Sequence, residues 1–114
     1  MIAWLDLVGR ILIAGLFVAG VVQKATDPAA VQGLLAGFGW PAWLVWPALV
    51  FNAGVAVGLL LPGRVQAAAL AGAAYCMLTS VFHFIPGDGW QMSIFVKNWA
   101  IAGGLLVLAA SRGR

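Results

Sequence analysis

The chain has 114 residues, of which 64% are hydrophobic and only 8% are charged. A soluble domain carries about 25% charged residues to cover its surface, so this composition excludes an ordinary soluble protein and predicts an integral membrane protein. The length allows at most four crossings of about 20 residues each, which we expect to form a single domain over residues 1–114 without a separate soluble catalytic domain.

Four apolar runs predict four membrane-spanning helices. The runs are rich in Leu, Ala, Val, Ile and Gly and lack alternation of polar and apolar residues, which favours helices over a membrane β-barrel. We therefore predict an all-α fold, an integral membrane four-helix bundle. Its helices cover about residues 2–23, 44–61, 65–84 and 93–110.

The first run carries Asp6 and Arg10 on one helix face, four residues apart in the favourable acid-before-base order. We expect an ion pair or a guanidinium that reaches the headgroups, so that the pair anchors the helix at the interface. The alternative is a contact to a lipid headgroup or a quinone. The run also has the form of a signal peptide, but we expect it to be retained as the first crossing.

A short interfacial helix is predicted between the first and second crossings. Asp27 is a candidate cap, Pro28 fits the first helical position, and residues 28–38 are too few to cross the membrane. In the second crossing, Gly54 and Gly58 form a small-xxx-small pattern that predicts close helix packing, as do Ala68 and Gly72 in the third.

The charges predict the orientation of the chain. With four crossings, one side carries three net positive charges and the other carries none. The first side holds Asp6, Arg10, Arg64, Arg112 and Arg114, and the second holds Lys24, Asp27, Asp88 and Lys97. The positive-inside rule then places both termini in the cytoplasm of a multi-pass protein. The basic balance is thus a topology signal, and we expect no nucleic-acid partner.

Four polar residues from three helices are predicted to meet at the outer rim: Lys24, His83, Lys97 and Asn98. Because polar groups at membrane depth are costly unless paired, their convergence suggests a shared pocket. Two ammonium groups and an imidazole could hold an anion or hydrogen-bond a quinone carbonyl, and an imidazole can exchange a proton near neutral pH. The alternative is that both lysines reach water and His83 caps the third helix.

Other kinds of site find little support. One His and one Cys do not supply the ligands of a zinc, haem or iron–sulfur centre, so we predict no metal site. No phosphate-binding loop or Ser-His-Asp set is recognisable, and a self-contained enzyme is not expected.

Several short motifs resemble the DoxX-like family of four-helix membrane proteins. They are Arg10-Ile-Leu, Phe17 and Gly20 before Lys24, Asp27-Pro28, Leu-Leu-Pro-Gly-Arg64, Phe82-His83-Phe84, and Lys97-Asn98 followed by Gly103-Gly104-Leu-Leu. The resemblance implies an inner-membrane location and a relation to the small subunits of a thiosulfate:quinone oxidoreductase. It also implies that Arg10, Lys24, His83, Lys97 and Asn98 are the recurring polar positions.

One departure from the family pattern lies in the second crossing. Such sequences often carry an acidic residue there, where this chain has Asn52. The amide argues against a proton-coupled reaction at that position and leaves a hydrogen-bonding role.

Three functions follow as hypotheses. The first is a membrane subunit of a quinone-linked redox complex, which forms part of a quinone or oxyanion site, with no covalently bound cofactor and with other membrane subunits as partners. The second is a non-catalytic accessory or scaffold subunit of a larger membrane assembly. The third, transport, is disfavoured because only Asn52 and Thr79 could line a path through the bilayer.

Overall fold

The computed structural model describes residues 2–112, with Ile2 described by its backbone alone. Arg114, one of the arginines predicted to be cytoplasmic, therefore lies outside the described residues. Within the described range the fold is all-α. The helices are α1 (Ile2–Thr26), α2 (Pro28–Gly37), α3 (Val45–Leu60), α4 (Val65–Thr79) and α5 (Gly89–Arg112).

The predicted fold class is confirmed. Four helical segments of the described chain, Ala3–Thr26, Ala42–Leu60, Val65–His83 and Gly89–Arg112, are long and apolar enough to cross a membrane. The short helix α2 lies in sequence between the first and second of them, as predicted. The described residues group into two compact units, the first ending at Arg64 and the second beginning at Val65. That the whole chain acts as one domain stays a prediction.

In the first unit, α1 packs against α3. Ala14 and Phe17 of α1 and Val55 and Leu59 of α3 are buried. Since buried apolar contact and close packing hold helices together in a bilayer, these residues stabilise the first unit.

The predicted start of α2 is confirmed in part. Asp27 occupies the capping position and Pro28 begins the helix, but the Asp27 side chain makes no capping hydrogen bond. Its backbone N–H donates instead to the carbonyl of Gln23 at 2.8 Å. After α2 the chain turns at Gly39, whose positive φ of 74° favours glycine, and passes through a 3-10 turn, Ala42–Leu44, into α3.

In the second unit, α4 packs against α5. Ala68 and Gly72 are buried, as the small-residue pattern predicted. The side-chain amide of Gln66 donates from Nε2 to the Ala109 carbonyl at 3.1 Å and so links the two helices. The small-residue pattern of α3 does not mark a helix contact at Gly54. This residue is exposed, and a Cβ added there would meet no atom within 4 Å.

The predicted bounds of the third crossing agree with the structure to within one residue, whereas the predicted start of the fourth crossing was wrong. The α-helical part of the third crossing ends at Thr79, and a 3-10 turn, Ser80–His83, follows it. The fourth helix begins at Gly89, four residues before the predicted start. Asp88 explains the early start, because its Oδ1 accepts the Gln91 N–H at 3.1 Å and its carbonyl accepts the Met92 N–H at 2.9 Å.

Candidate functional site

The predicted pair of Asp6 and Arg10 is formed. Arg10 Nε donates to Asp6 Oδ2 at 2.9 Å, and Arg10 Nη1 donates to the carbonyl of Leu59 at 2.7 Å. The guanidinium thus satisfies a backbone acceptor in the last turn of α3, where a helix leaves carbonyls without internal partners. These contacts make Arg10 a link between α1 and α3.

Lys24 is the buried cation of the first unit, only 7% exposed. Its Nζ donates to Oδ1 of Asn52 at 2.8 Å, and Asn52 itself is 2% exposed. Lys24 lies two residues before the end of α1, where a lysine of a membrane helix usually extends outward to the headgroups. Helix side chains lean toward the N-terminus, and this one follows that direction, so its ammonium group is carried inward.

The depth of the contact can be measured along α3. Asn52 lies seven residues after Val45, which corresponds to about 10 Å at 1.5 Å per residue. The hydrogen bond therefore lies inside the helix pair, well away from the end of α3. A hydrogen bond to a charged group typically contributes about 1.5–3 kcal/mol, so the contact holds α1 and α3 in register.

Gly20 provides the space in which this contact forms. A Cβ at residue 20 would lie 2.9 Å from Asn52 Oδ1, 3.4 Å from Asn52 Cγ and 3.6 Å from Lys24 Nζ. Because residues four apart in a helix lie on the same face, Gly20 sits directly below Lys24. The absence of a side chain there lets the amide and the ammonium group meet.

The orientation of the Asn52 amide follows from the chemistry of its partner. An ammonium group has donors only, so the amide oxygen must face Lys24 and the Nδ2 donors face away from it. The side chain of Asn52 is itself almost fully buried, so its Nδ2 donors lie inside the helix pair beside the ammonium group.

The second unit holds its own polar contact at the end of α4. His83 Nδ1 lies 2.7 Å from Oε1 of Gln91, across the turn that joins α4 to α5. His83 is half-buried and Gln91 is half-buried. This contact links the end of the third crossing to the first turn of α5.

Lys97 and Asn98 lie deeper in α5 than predicted. Because α5 begins at Gly89 and not at the predicted residue 93, Lys97 is eight residues, or about 12 Å, from its first residue. The two residues are about 100° apart around the helix. Lys97 is exposed, whereas Asn98 is half-buried and lies on the same face as Gln91.

The structure thus places the four predicted site residues in two units. Lys24 pairs with Asn52 in the first unit, and His83 pairs with Gln91 in the second. A single pocket that joins Lys24 with His83, Lys97 and Asn98 stays a prediction. Within residues 2–112 no group of three or more His, Cys, Asp or Glu side chains could hold a metal ion.

Sequence reasoning left a hydrogen-bonding role for Asn52 without naming its partner, and it missed the roles of Gly20 and Gln91. The spacing of Gly20 and Lys24 was a usable signal, because it predicts space beneath a side chain that leans toward the N-terminus. Gln91 follows His83 after a tight Pro-Gly turn, and such a turn brings neighbouring side chains together.

Comparisons with known proteins agree with this architecture. The sequence model of the DoxX family matches residues 5–85 of the chain. The inner membrane protein YqjF of Escherichia coli (strain K12) is 31% identical over 104 residues, which cover 90% of this chain and 80% of that protein. No solved structure gives a significant match.

Proposed function

The chain belongs to the DoxX family of membrane proteins, as its motifs predicted, and from that premise we propose that it is a small inner-membrane subunit of a quinone-linked redox complex. The chain's four candidate spans and the inner-membrane name of its relative YqjF support this location. In the proposal, Lys24 and Asn52 hold the carbonyl of a quinone, and a partner subunit supplies the electrons for its reduction.

The observation that carries the proposal is the inward-facing ammonium group of Lys24. It lies beside the side-chain amide of Asn52, so that both side chains bring N–H donors to one place inside the helix pair. A site made of donors recognises a carbonyl or an oxyanion oxygen.

The depth of the site favours the quinone over a free oxyanion. Burying a neutral polar group costs roughly 1–3 kcal/mol in proteins, whereas the penalty for an ion is several kcal/mol even after relaxation. A quinone is already dissolved in the bilayer, and its carbonyl gains hydrogen bonds at the site. An oxyanion such as thiosulfate would first have to lose its water.

The charge distribution supports an orientation with both termini in the cytoplasm. We propose that Arg64 faces the cytoplasm and that Asp88 faces the opposite side. Two single-cysteine variants test this orientation: Arg64→Cys and Asp88→Cys, each in a Cys76→Ala background. Both are labelled in intact cells with a membrane-impermeant maleimide. Labelling at position 88 alone supports the orientation, and labelling at position 64 contradicts it.

Quinone binding tests the functional proposal. The protein is purified in mild detergent together with any subunits that remain attached, and saturation binding of a radiolabelled short-chain benzoquinone is measured. Loss of one hydrogen bond to a charged group, about 1.5–3 kcal/mol, predicts that Lys24→Met weakens binding roughly 10- to 100-fold.

Gln23→Met is the matched control, because Gln23 is the preceding residue of α1, is polar and is exposed. We expect it to bind the quinone as the unmodified chain does. Equal affinity in the unmodified chain and Lys24→Met would refute the quinone site. Co-purified subunits combined with no specific quinone binding would favour the accessory or scaffold role.

A further inference from the structure

The turn between α4 and α5 holds the His83 ring in one orientation. Ile85 N–H donates to the His83 carbonyl at 2.9 Å, and Asp88 N–H donates to the Ile85 carbonyl at 3.0 Å. Asp88 Oδ1 then accepts the N–H of Gln91, and Gln91 Oε1 lies 2.7 Å from His83 Nδ1. The chain of contacts therefore runs from the His83 carbonyl through the turn and back to the His83 ring.

This geometry fixes where the proton of the neutral imidazole resides. An amide oxygen only accepts, so Nδ1 must carry the hydrogen and donate it to Gln91. In the neutral ring Nε2 is then an acceptor and cannot donate. Gln91 sets the tautomer, and Asp88 in turn holds the backbone of Gln91.

The acceptor nitrogen is available to a ligand. Nε2 makes no hydrogen bond to the described residues of its own unit. No buried side-chain nitrogen or oxygen among residues that the structure describes is left without a partner. Because His83 is only half-buried, Nε2 therefore lies at accessible surface.

Aromatic side chains lie next to this acceptor in the chain and along α5. The rings of Phe84 and Phe95 meet edge to face, with centroids 5.1 Å apart, and Trp99 lies 6.3 Å from Phe95. Phe84 adjoins His83, and Phe95 lies one turn after Gln91. Aromatic pairs add about 0.5–1.5 kcal/mol beyond buried area, so such a surface suits a ligand with an aromatic ring.

We propose that His83, oriented by Gln91, accepts a hydrogen bond through Nε2 from the hydroxyl group of an aromatic ligand. Only the identity of the aromatic ligand rests on the proposed function. Under that function the ligand is a quinol, the reduced form of the quinone. An acceptor at Nε2 selects the hydroxyl of the quinol over the carbonyl of the oxidised quinone. Gln91 is a positioning residue, since it acts through His83.

The single histidine of the chain makes the tautomer directly measurable. Nitrogen-15 NMR of protein labelled only in histidine gives one pair of ring signals, recorded at about pH 9, where an ordinary imidazole is neutral. We expect the Nδ1–H form as the major species. A major Nε2–H form in the unmodified chain would overturn the assignment.

Variants of Gln91 separate positioning from folding. Gln91→Met removes the acceptor and should make the Nε2–H form the major species, whereas Gln91→Glu keeps an acceptor and should retain the Nδ1–H form. Gln66→Met, at the other end of α4, is the matched control and should leave the His83 signals unchanged. An unchanged tautomer in Gln91→Met would overturn the positioning role, and tryptophan fluorescence establishes that the variant is folded.

The ligand is tested by adding a short-chain benzoquinol under argon, with its dimethyl ether as the comparison. The quinol should move the Nε2 signal, and the ether, which has no hydroxyl, should not. No movement with the quinol, or equal movement with both, overturns the proposal. If the quinol moves Nε2 while Lys24→Met binds quinone normally, the proposed function fails and this inference stands.

Discussion

Gly20→Ala is the most informative single change, because it adds one carbon atom at the Lys24–Asn52 contact. The new Cβ would lie 2.9 Å from Asn52 Oδ1, too close for either atom to stay in place. Asn52 is 2% exposed and is held by Lys24, so it has little room to move. Overpacking of this kind costs about 1–3 kcal/mol, and the better helix propensity of Ala returns at most about 1 kcal/mol.

Gly15→Ala is the matched control in the same helix. No atom lies within 4 Å of a Cβ at residue 15, so this variant should be neutral or more stable by up to about 1 kcal/mol. The two variants therefore should differ by about 1–3 kcal/mol in free energy of unfolding, with Gly20→Ala the less stable. Titration with sodium dodecyl sulfate, followed by tryptophan fluorescence, measures that difference.

A double-mutant cycle tests the cause. In an Asn52→Ala background the obstructing amide is gone, so Gly20→Ala should become neutral or stabilising by up to about 1 kcal/mol. If Gly20→Ala costs the same with and without Asn52, or matches Gly15→Ala in the unmodified chain, the close contact at residue 20 is refuted.

Three further predictions concern stability and burial. Arg10→Met loses the hydrogen bond to the Leu59 carbonyl, so it should destabilise the first unit by about 1.5–3 kcal/mol in the same titration. An unchanged midpoint would contradict the role of Arg10 as a link between α1 and α3. Gln66→Met should cost about 0.5–1.5 kcal/mol because the Ala109 carbonyl loses a donor, and a larger loss would point to a different role. Cys76 is 4% exposed, so maleimide should label it only in the detergent-unfolded state, and rapid labelling of the folded protein would contradict its burial.

Much of the fold could be predicted from hydropathy, because burial of the backbone in lipid requires complete helices. The four spans, the short helix after Pro28 and the ion pair of Asp6 with Arg10 all follow from local sequence. Local sequence did not predict the first residue of α5, because Gly89 is a weak helix former. Asp88 begins the helix there through its capping hydrogen bond, which depends on the conformation of the preceding turn.

The candidate site was harder to predict because it depends on side-chain direction. The sequence suggested Lys24 as a cation at the membrane boundary, but the inward direction depends on Gly20 and on a partner from another helix. Asn52 was expected to keep a hydrogen-bonding role, but its partner, Lys24, could not be named from the sequence. Gln91 precedes residue 93, where the fourth helix was predicted to start, so it was not counted among the polar residues of the helices.

Infrared spectroscopy of a bound quinone tests the central claim, that the inward ammonium group of Lys24 donates to a quinone carbonyl. The difference spectrum of a short-chain benzoquinone, labelled with carbon-13 at one carbonyl, is recorded with the unmodified chain and with Lys24→Met. We predict that the carbonyl band lies at a lower frequency than that of the free quinone in the unmodified chain and in Gln23→Met. In Lys24→Met the band should return toward the free value. The same carbonyl frequency in all three proteins would contradict it.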